Sequence, residues 1–373
     1  RQVLALRGVV DEKGVIREPV IAKFGEFSLA GPHVLSDREK NLDTLTGQVL
    51  LRVPVEEDLS ANRLDPPQLA EIACLENITF DGQRATFLGS VKASVLTNVV
   101  RSEEMTAMLN QRIDFSADRP ETRGLSIETL DCQGKVRFEM YERNPQNDTI
   151  VEILKANFHD FTLNQKTGDF TGHGPGKIQD WRRAGTRRML VQSRSAAQAN
   201  RPADTNREFP WEYVGIEFED QLTGNVQQRW GRLNERVELI YAPVKNAYEI
   251  FVRNDLDNDG ASNAVWIGSD QLTVGLSGEP GQPPMATVEA QKNAEMEGQL
   301  FCARAYSLQY EQAKEMFTLR GKGQDNATLN VKRDTNSQWS KLPAQVIQFF
   351  PSRQEVLIDG AKTFSTIFGG SGQ

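Results

Sequence analysis

Along most of this chain apolar and polar residues alternate one by one, the spacing that places apolar side chains on a single face of a strand. The densest case is residues 300–323, LFCARAYSLQYEQAKEMFTLRGKG. Leu300, Cys302, Tyr306 and Leu308 fall at even spacing and are expected to face one way. The polar run 309–315 predicts a turn. A second alternating segment follows and stops on Gly321 and Gly323, so the predicted unit is strand, loop, strand and tight backbone.

Parts of this unit recur. Residues 72–80 (Ile72, Cys74, Ile78, Phe80) and 130–138 (Leu130, Cys132, Val136, Phe138) superpose on 300–308 without a gap, and all three cysteines of the chain take the same slot. The second half recurs as an apolar residue, any residue, Gly, any residue, then Val or Gly. It stands at Leu45–Val49, Phe87–Val91, Phe170–Gly174, Leu222–Val226 and Leu319–Gly323, with a degenerate copy at Leu276–Gly278. Recurrence every few tens of residues predicts a serial or stacked β architecture. Glycine near strand ends permits bends, so the repeated Gly is expected where the sheet folds over.

In chain order, residues 1–34 predict short strands broken at Gly8, 11–14 and Gly25. A strand is expected at 48–53, a polar connection at 56–67 and strands at 72–80 and 84–95 joined by an Asp81-Gly82 hairpin turn. Residues 106–115 favour strand over helix, and 126–142, 149–163 and 167–179 continue the β pattern. Residues 181–208 lose the period and carry Arg182, Arg183, Arg187, Arg188, Arg194 and Arg201. They read as a solvated excursion outside the sheets, with a basic arm for an anionic partner as the alternative. Alternation returns at 213–218, 227–233, 236–241, 248–252, 264–267, 271–276 and 286–290, then at 327–332, 344–350 and 355–358. The expected organisation is a β half at 1–181, an arginine-rich linker at 182–208 and a second β half at 209–373 ending in a Gly/Ser-rich tail.

Composition narrows the function. With 373 residues, the chain exceeds what one compact core usually organises. A hydrophobic content of 38% and a mean hydropathy of −0.50 suit a two-layer β structure with much wet surface. The net charge of −8 argues against nonspecific nucleic-acid binding. No apolar run approaches the roughly 20 residues that span a bilayer as a helix. The chain opens on Arg1 with neither Met nor an apolar leader, as a processed or trimmed segment would. Its cysteines read as small buried apolar side chains rather than a disulfide framework.

Catalytic motifs are scarce. His33, His159 and His173 are too dispersed for a metal-binding spacing. Gly172–Lys177 is not a phosphate loop, because the first glycine and the Ser/Thr after the lysine are missing. Asp255, Asp257, Asp259 and Gly260 match the opening of a calcium loop, but Trp266 stands where the bidentate Glu should be, so a surface turn is expected. Asn77, Asn147 and Asn326 head glycosylation-like triplets too short to carry weight. The expectation is a protein that is not an enzyme and uses no cofactor.

The segment from Asn77 to Val91 resembles the periplasmic bridge proteins of lipopolysaccharide transport, the organic-solvent-tolerance (OstA-like) family. Residues 305–321 look closer still to that family's repeat, and 167–174 and 344–349 are similar in grammar. The resemblance covers most of 70–180 and 210–362, although this chain is far longer than one bridge unit, carries the arginine-rich insert and is acidic. It implies an all-β protein of repeated antiparallel strands forming an elongated, folded-over sheet, a jelly roll or "β-taco". The implied ligand is an amphipathic lipid or lipopolysaccharide, held by its acyl chains against Phe80, Phe87, Val91, Phe138, Phe170, Phe317 and Leu319. The implied partners are other β-jelly-roll envelope proteins stacked at the sheet edges, and the implied location is the periplasm. The inward set further includes Ile72, Cys74, Ile78, Leu130, Cys132, Val136, Leu300, Cys302, Tyr306 and Leu308. The alternative is a structural or adhesive β scaffold with a closed core and no lipid.

Overall fold

The computed structural model describes residues 3–10, 16–24, 27–57, 63–114, 126–144, 146–184, 210–258, 263–277, 285–353 and 355–358. Among the described residues the protein is all-β, with 72% of them in strands and no α-helix. Every pairing between described strands is antiparallel, as alternation with one wet face requires. Contacts divide the chain into two units: residues 1–141, 155–174 and 223–228, and residues 142–154, 175–222 and 229–373. The boundary falls within the strands Ile127–Arg143 and Ile150–Asn164. The expected turn at 11–14, most of the arginine-rich segment and the Gly/Ser-rich tail lie outside the described residues.

In the first unit the strand Arg84–Val95 serves two branches. Its first half pairs with Asn77–Phe80, which continues to Leu42–Thr46, His33–Asp37 and Val3–Arg7. Its second half pairs with Arg63–Cys74, which continues to Val49–Glu57, Phe27–Gly31 and Val20–Phe24. One row of paired residues, Leu45, Ile78, Phe87, Met105 and Cys132, crosses five strands with no member more than 3% exposed. The predicted Asp81-Gly82 hairpin is present. The Asp81 carboxylate accepts the backbone N–H of Gln83 and Arg84 at 2.9 and 2.7 Å, and Gly82 adopts a φ of +91° that disfavours any side chain.

The second unit repeats the fork. Residues 301–304 of the strand Phe301–Glu311 pair with Ala327–Val331, while residues 307–311 pair with Met316–Arg320. The branches face each other: Phe301 packs edge-on at 5.1 Å against Phe349, whose strand Val346–Phe350 pairs with Met316–Arg320. The row Leu233, Leu272, Ala290, Leu308, Leu319 and Ile347 forms the core, at 2% exposure or less throughout. Burying each such side chain contributes roughly 1.5–3 kcal/mol for the larger ones.

The forks have a backbone cause. At Gly89-Ser90, Gly134-Lys135, Glu235-Arg236 and Lys292-Asn293, two consecutive residues take positive φ, and the pairing register shifts beside each. Such bulges insert unpaired residues and sharpen the local twist, which lets a sheet bend over. The strands between them take one outward residue instead, at Glu103, Asp270 and Tyr306, and there the inward set changes parity. Phe301 and Ala303 are therefore inward below Tyr306, and Leu308 and Tyr310 above it.

This corrects several expectations. Leu300 and Cys302 are only half-buried and Tyr306 is 38% exposed, because the strict even spacing ignores the parity change. Cys74 and Cys132 are buried, so the three cysteines are not equivalent. Residues 72–80 are two strands broken at Leu75 and Glu76. The predicted turn at 309–315 shrinks to a 3₁₀ turn at Gln312–Lys314, with Tyr310 buried in the strand. Of the repeated glycines, Gly47 and Gly89 take positive φ at bends, whereas Gly172 and Gly321 do not. Gly321 is required by close approach: an added Cβ would lie 2.1 Å from the Asp325 carbonyl. Trp181, Arg182 and Arg183 belong to the strand Gly176–Arg183, since each has a cross-strand partner in Trp211–Phe218. Residues 248–252 form no strand: Tyr248 lies in a turn with a φ of +68°, and 249–252 run as part of a strap outside the sheet.

Candidate functional site

The predicted lipid-contacting residues fall into two groups. Phe87 and Val91 in the first unit are 1% exposed, and Phe317 and Leu319 in the second are fully buried, so these four are filled core. Phe80, Phe138 and Phe170 differ. Phe80 and Phe170 are half-buried, and Phe138 is 8% exposed.

Phe138 and Phe170 belong to an aromatic cluster in the first unit. Phe138 meets Phe161 edge-on at 4.7 Å and Phe158 at 5.9 Å, and Phe161 stacks on Phe158 at 5.7 Å and on Phe170 at 6.1 Å. The hairpin of Ile150–Asn164 with Asp169–His173 positions them, pairing Leu163 with Phe170 and Phe161 with Gly172. Gly172 matters here through space rather than φ: its Cβ would sit 3.2 Å from the Phe158 ring. Phe161 and Phe170 leave one side of the cluster partly open, and on the opposite face of the hairpin His173 Nδ1 and Asp160 Oδ1 pair across the strands at 2.5 Å. Phe158 and Phe161 were missed by the sequence reading, although both lie in a segment read as alternating. Their opposite parity hid them.

The second unit carries a different feature on the outer face of its sheet. The paired row Gly215, Ile240, Trp266, Glu297, Cys302, Asn330 and Lys341 runs across six pairings, all pointing away from the core. Tyr213 lies over Gly215 and Trp266 over Gly268, where a Cβ would come 2.5 Å from the tyrosine hydroxyl and 2.4 Å from the indole ring. The strap, residues 245–258, crosses this face. The Trp181 indole donates to the Glu249 carbonyl at 2.8 Å, Leu256 is buried, and the Arg253 guanidinium stacks 3.7 Å above the Trp266 ring. Arg253 donates to Glu297 Oε2 from Nε at 2.8 Å and from Nη2 at 2.7 Å. Beside the stack opens a cleft of about 450 Å³, whose lining includes Glu295, Cys302, Arg304, Thr328, Asn330 and Lys341. The calcium-like residue Asp255 is committed within the strap, one oxygen accepting the Val252 N–H at 2.9 Å and the other the Asn258 amide. Among the described residues no three His, Cys, Asp or Glu side chains are grouped to hold a metal ion.

The inner face of the same unit buries charge. Arg182 pairs with Asp180 at 2.7 Å and Glu152 at 3.0 Å, and Glu212 is its cross-strand neighbour. Burial lifts the Asp180 carboxyl to about 7. Arg182 opposes that rise, while Glu152 and Glu212 add to it. Asp180 and Glu152 in turn outweigh the burial of Arg182 and hold it firmly charged, so the proton near neutrality is assigned to Asp180 alone. Arg182 thus acts as a buried counter-ion, not as part of a basic arm.

No family model matches the chain, and no curated protein matches it in sequence.

Proposed function

We propose that the protein is a non-catalytic cell-envelope carrier that holds the acyl chains of a lipopolysaccharide-like glycolipid at the Phe138–Phe158–Phe161–Phe170 cluster. The observation that carries this reading is the cluster's half-open side, beside a sheet whose branches are lined by apolar residues. The resemblance of 77–91 and 305–321 to transport-bridge repeats supports the periplasm as its location. Edge contacts with other β-jelly-roll proteins fit the exposed apolar residues Leu4 and Leu6 on the strand Val3–Arg7 and Ile21 on Val20–Phe24.

A second reading, a closed β scaffold without lipid, is favoured by the full burial of Phe317 and Leu319. Native mass spectrometry of the purified chain separates the two. The carrier reading expects a co-purifying acyl lipid that is lost in Phe161→Asp while the variant stays folded. A wild-type chain that carries no amphiphile, and takes up none when offered, would establish the scaffold reading instead.

A further inference from the structure

The geometry points to an anionic-sugar site in the outer-face cleft beside Arg253 and Trp266. It does not rest on the lipid reading, since the cleft lies on the opposite side of its sheet from the core and in the unit that lacks the phenylalanine cluster.

The argument is an account of donors and acceptors. The cleft's two carboxylates are already engaged, Glu297 by Arg253 and Glu295 by Arg304 at 3.1 Å. Its donors exceed them. Arg253 reaches Glu297 through Nε and Nη2, leaving the third guanidinium nitrogen for a ligand. Lys341 has no ion-pair partner among the described residues, and Thr328 adds a hydroxyl. The cleft thus carries three cations against two anions inside a chain of net charge −8. A donor-rich cleft with spent acceptors selects a ligand rich in acceptors and bearing negative charge.

A flat surface selects the rest. The Trp266 ring is 5% exposed, lying over Gly268 and beneath Arg253. The flat surface open to a ligand is therefore the Arg253 guanidinium, 47% exposed and fixed by the stack and by its two bonds to one carboxylate oxygen. A planar, pre-set group flanking amide, hydroxyl and charged donors suits a ring that offers several hydroxyls and an acid group. A carboxylate-bearing or phosphate-bearing sugar has that chemistry. A bare anion would use the charges and leave the open Arg253 face idle.

Cys302 lines the cleft, accepting from the Asn330 amide at 3.5 Å, while Cys74 and Cys132 are buried. Its thiol is therefore a built-in reporter. The test follows maleimide labelling of Cys302 in the native chain, with Cys302→Ser confirming the labelled position. The probes are trigalacturonate, glucose 6-phosphate, maltotriose and inorganic phosphate. Labelling should slow at least about tenfold with one or both acidic sugars, the one that protects naming the acid group. Maltotriose and inorganic phosphate should leave the rate unchanged. Lys341→Ala, at an exposed position, should raise the half-protecting concentration roughly tenfold, the loss of one charge-assisted hydrogen bond. The proposal is overturned if neither acidic sugar protects, if phosphate or maltotriose protects equally, or if Lys341→Ala protects as the wild type does.

Discussion

Single residues in this protein are decided by which side of a parity change they fall on. Cys74, Cys132 and Cys302 match perfectly as sequence, yet burial raises the Cys74 thiol pKa and pushes that of Cys132 up to about 12, whereas Cys302 faces the outer cleft. A thiol reagent should therefore count one fast cysteine in the native chain and three after denaturation. Two or more fast thiols in the native state would contradict the burial assigned here. Asp180 gives a second test. Its folded pKa of about 7 lies well above a carboxyl's ordinary value, so the folded state holds a proton that the unfolded chain has released across that window. Stability is then greatest at the acid end, falls as pH rises from about 4 to 7, and levels off above. The groups facing it are Arg182 on its own strand, Glu152 on Ile150–Asn164 and Glu212 on Trp211–Phe218. Thermal melts at pH 5 and 7.5 should show the wild type losing ground against Asp180→Asn. A difference that is flat, or that grows with pH, would refute the raised Asp180 carboxyl.

At the level of elements, alternation made the strands legible and hid their joints. The hairpin at Asp81-Gly82 and the strands Arg84–Val95 and Glu355–Ile358 stand where the pattern placed them. The strand Trp230–Val244 was read as two pieces because Glu235 and Arg236 interrupt the period, yet that pair is what lets one strand run through a bend. Lys292-Asn293 repeats the device with no glycine at all, so a search for recurrent Gly finds Gly89 and passes over it. The cleft was illegible for a related reason. Trp266, Glu297, Asn330 and Lys341 are neighbours only through cross-strand register, and no spacing along the chain encodes them. The left-handed pairs make opposite predictions for substitution. Lys292→Gly should raise stability by about 0.5–1 kcal/mol by relieving positive φ, while Gly89→Val should lower it by about 1–3 kcal/mol. Urea midpoints measure both, and a loss in the first or no loss in the second would remove the bulges as the cause of the forks.

For the whole molecule, the question is whether lipid meets the cluster of phenylalanines or no part of the sheet. The filled rows, such as Leu233 to Ile347, leave no room for an acyl chain without displacing core residues, and a charge placed there has no partner. Phe317→Asp should thus unfold its unit outright, whereas Phe161→Asp, half-buried at the open side of the cluster, should leave melting nearly unchanged and abolish lipid uptake. The direct measurement is site-specific crosslinking. A photoreactive phenylalanine analogue is placed at position 161 or at position 317, and the chain is irradiated with a radiolabelled acyl glycolipid. The account predicts labelled adduct from position 161 and none from position 317. Adduct from both positions, or from neither while the chain remains folded, would contradict it.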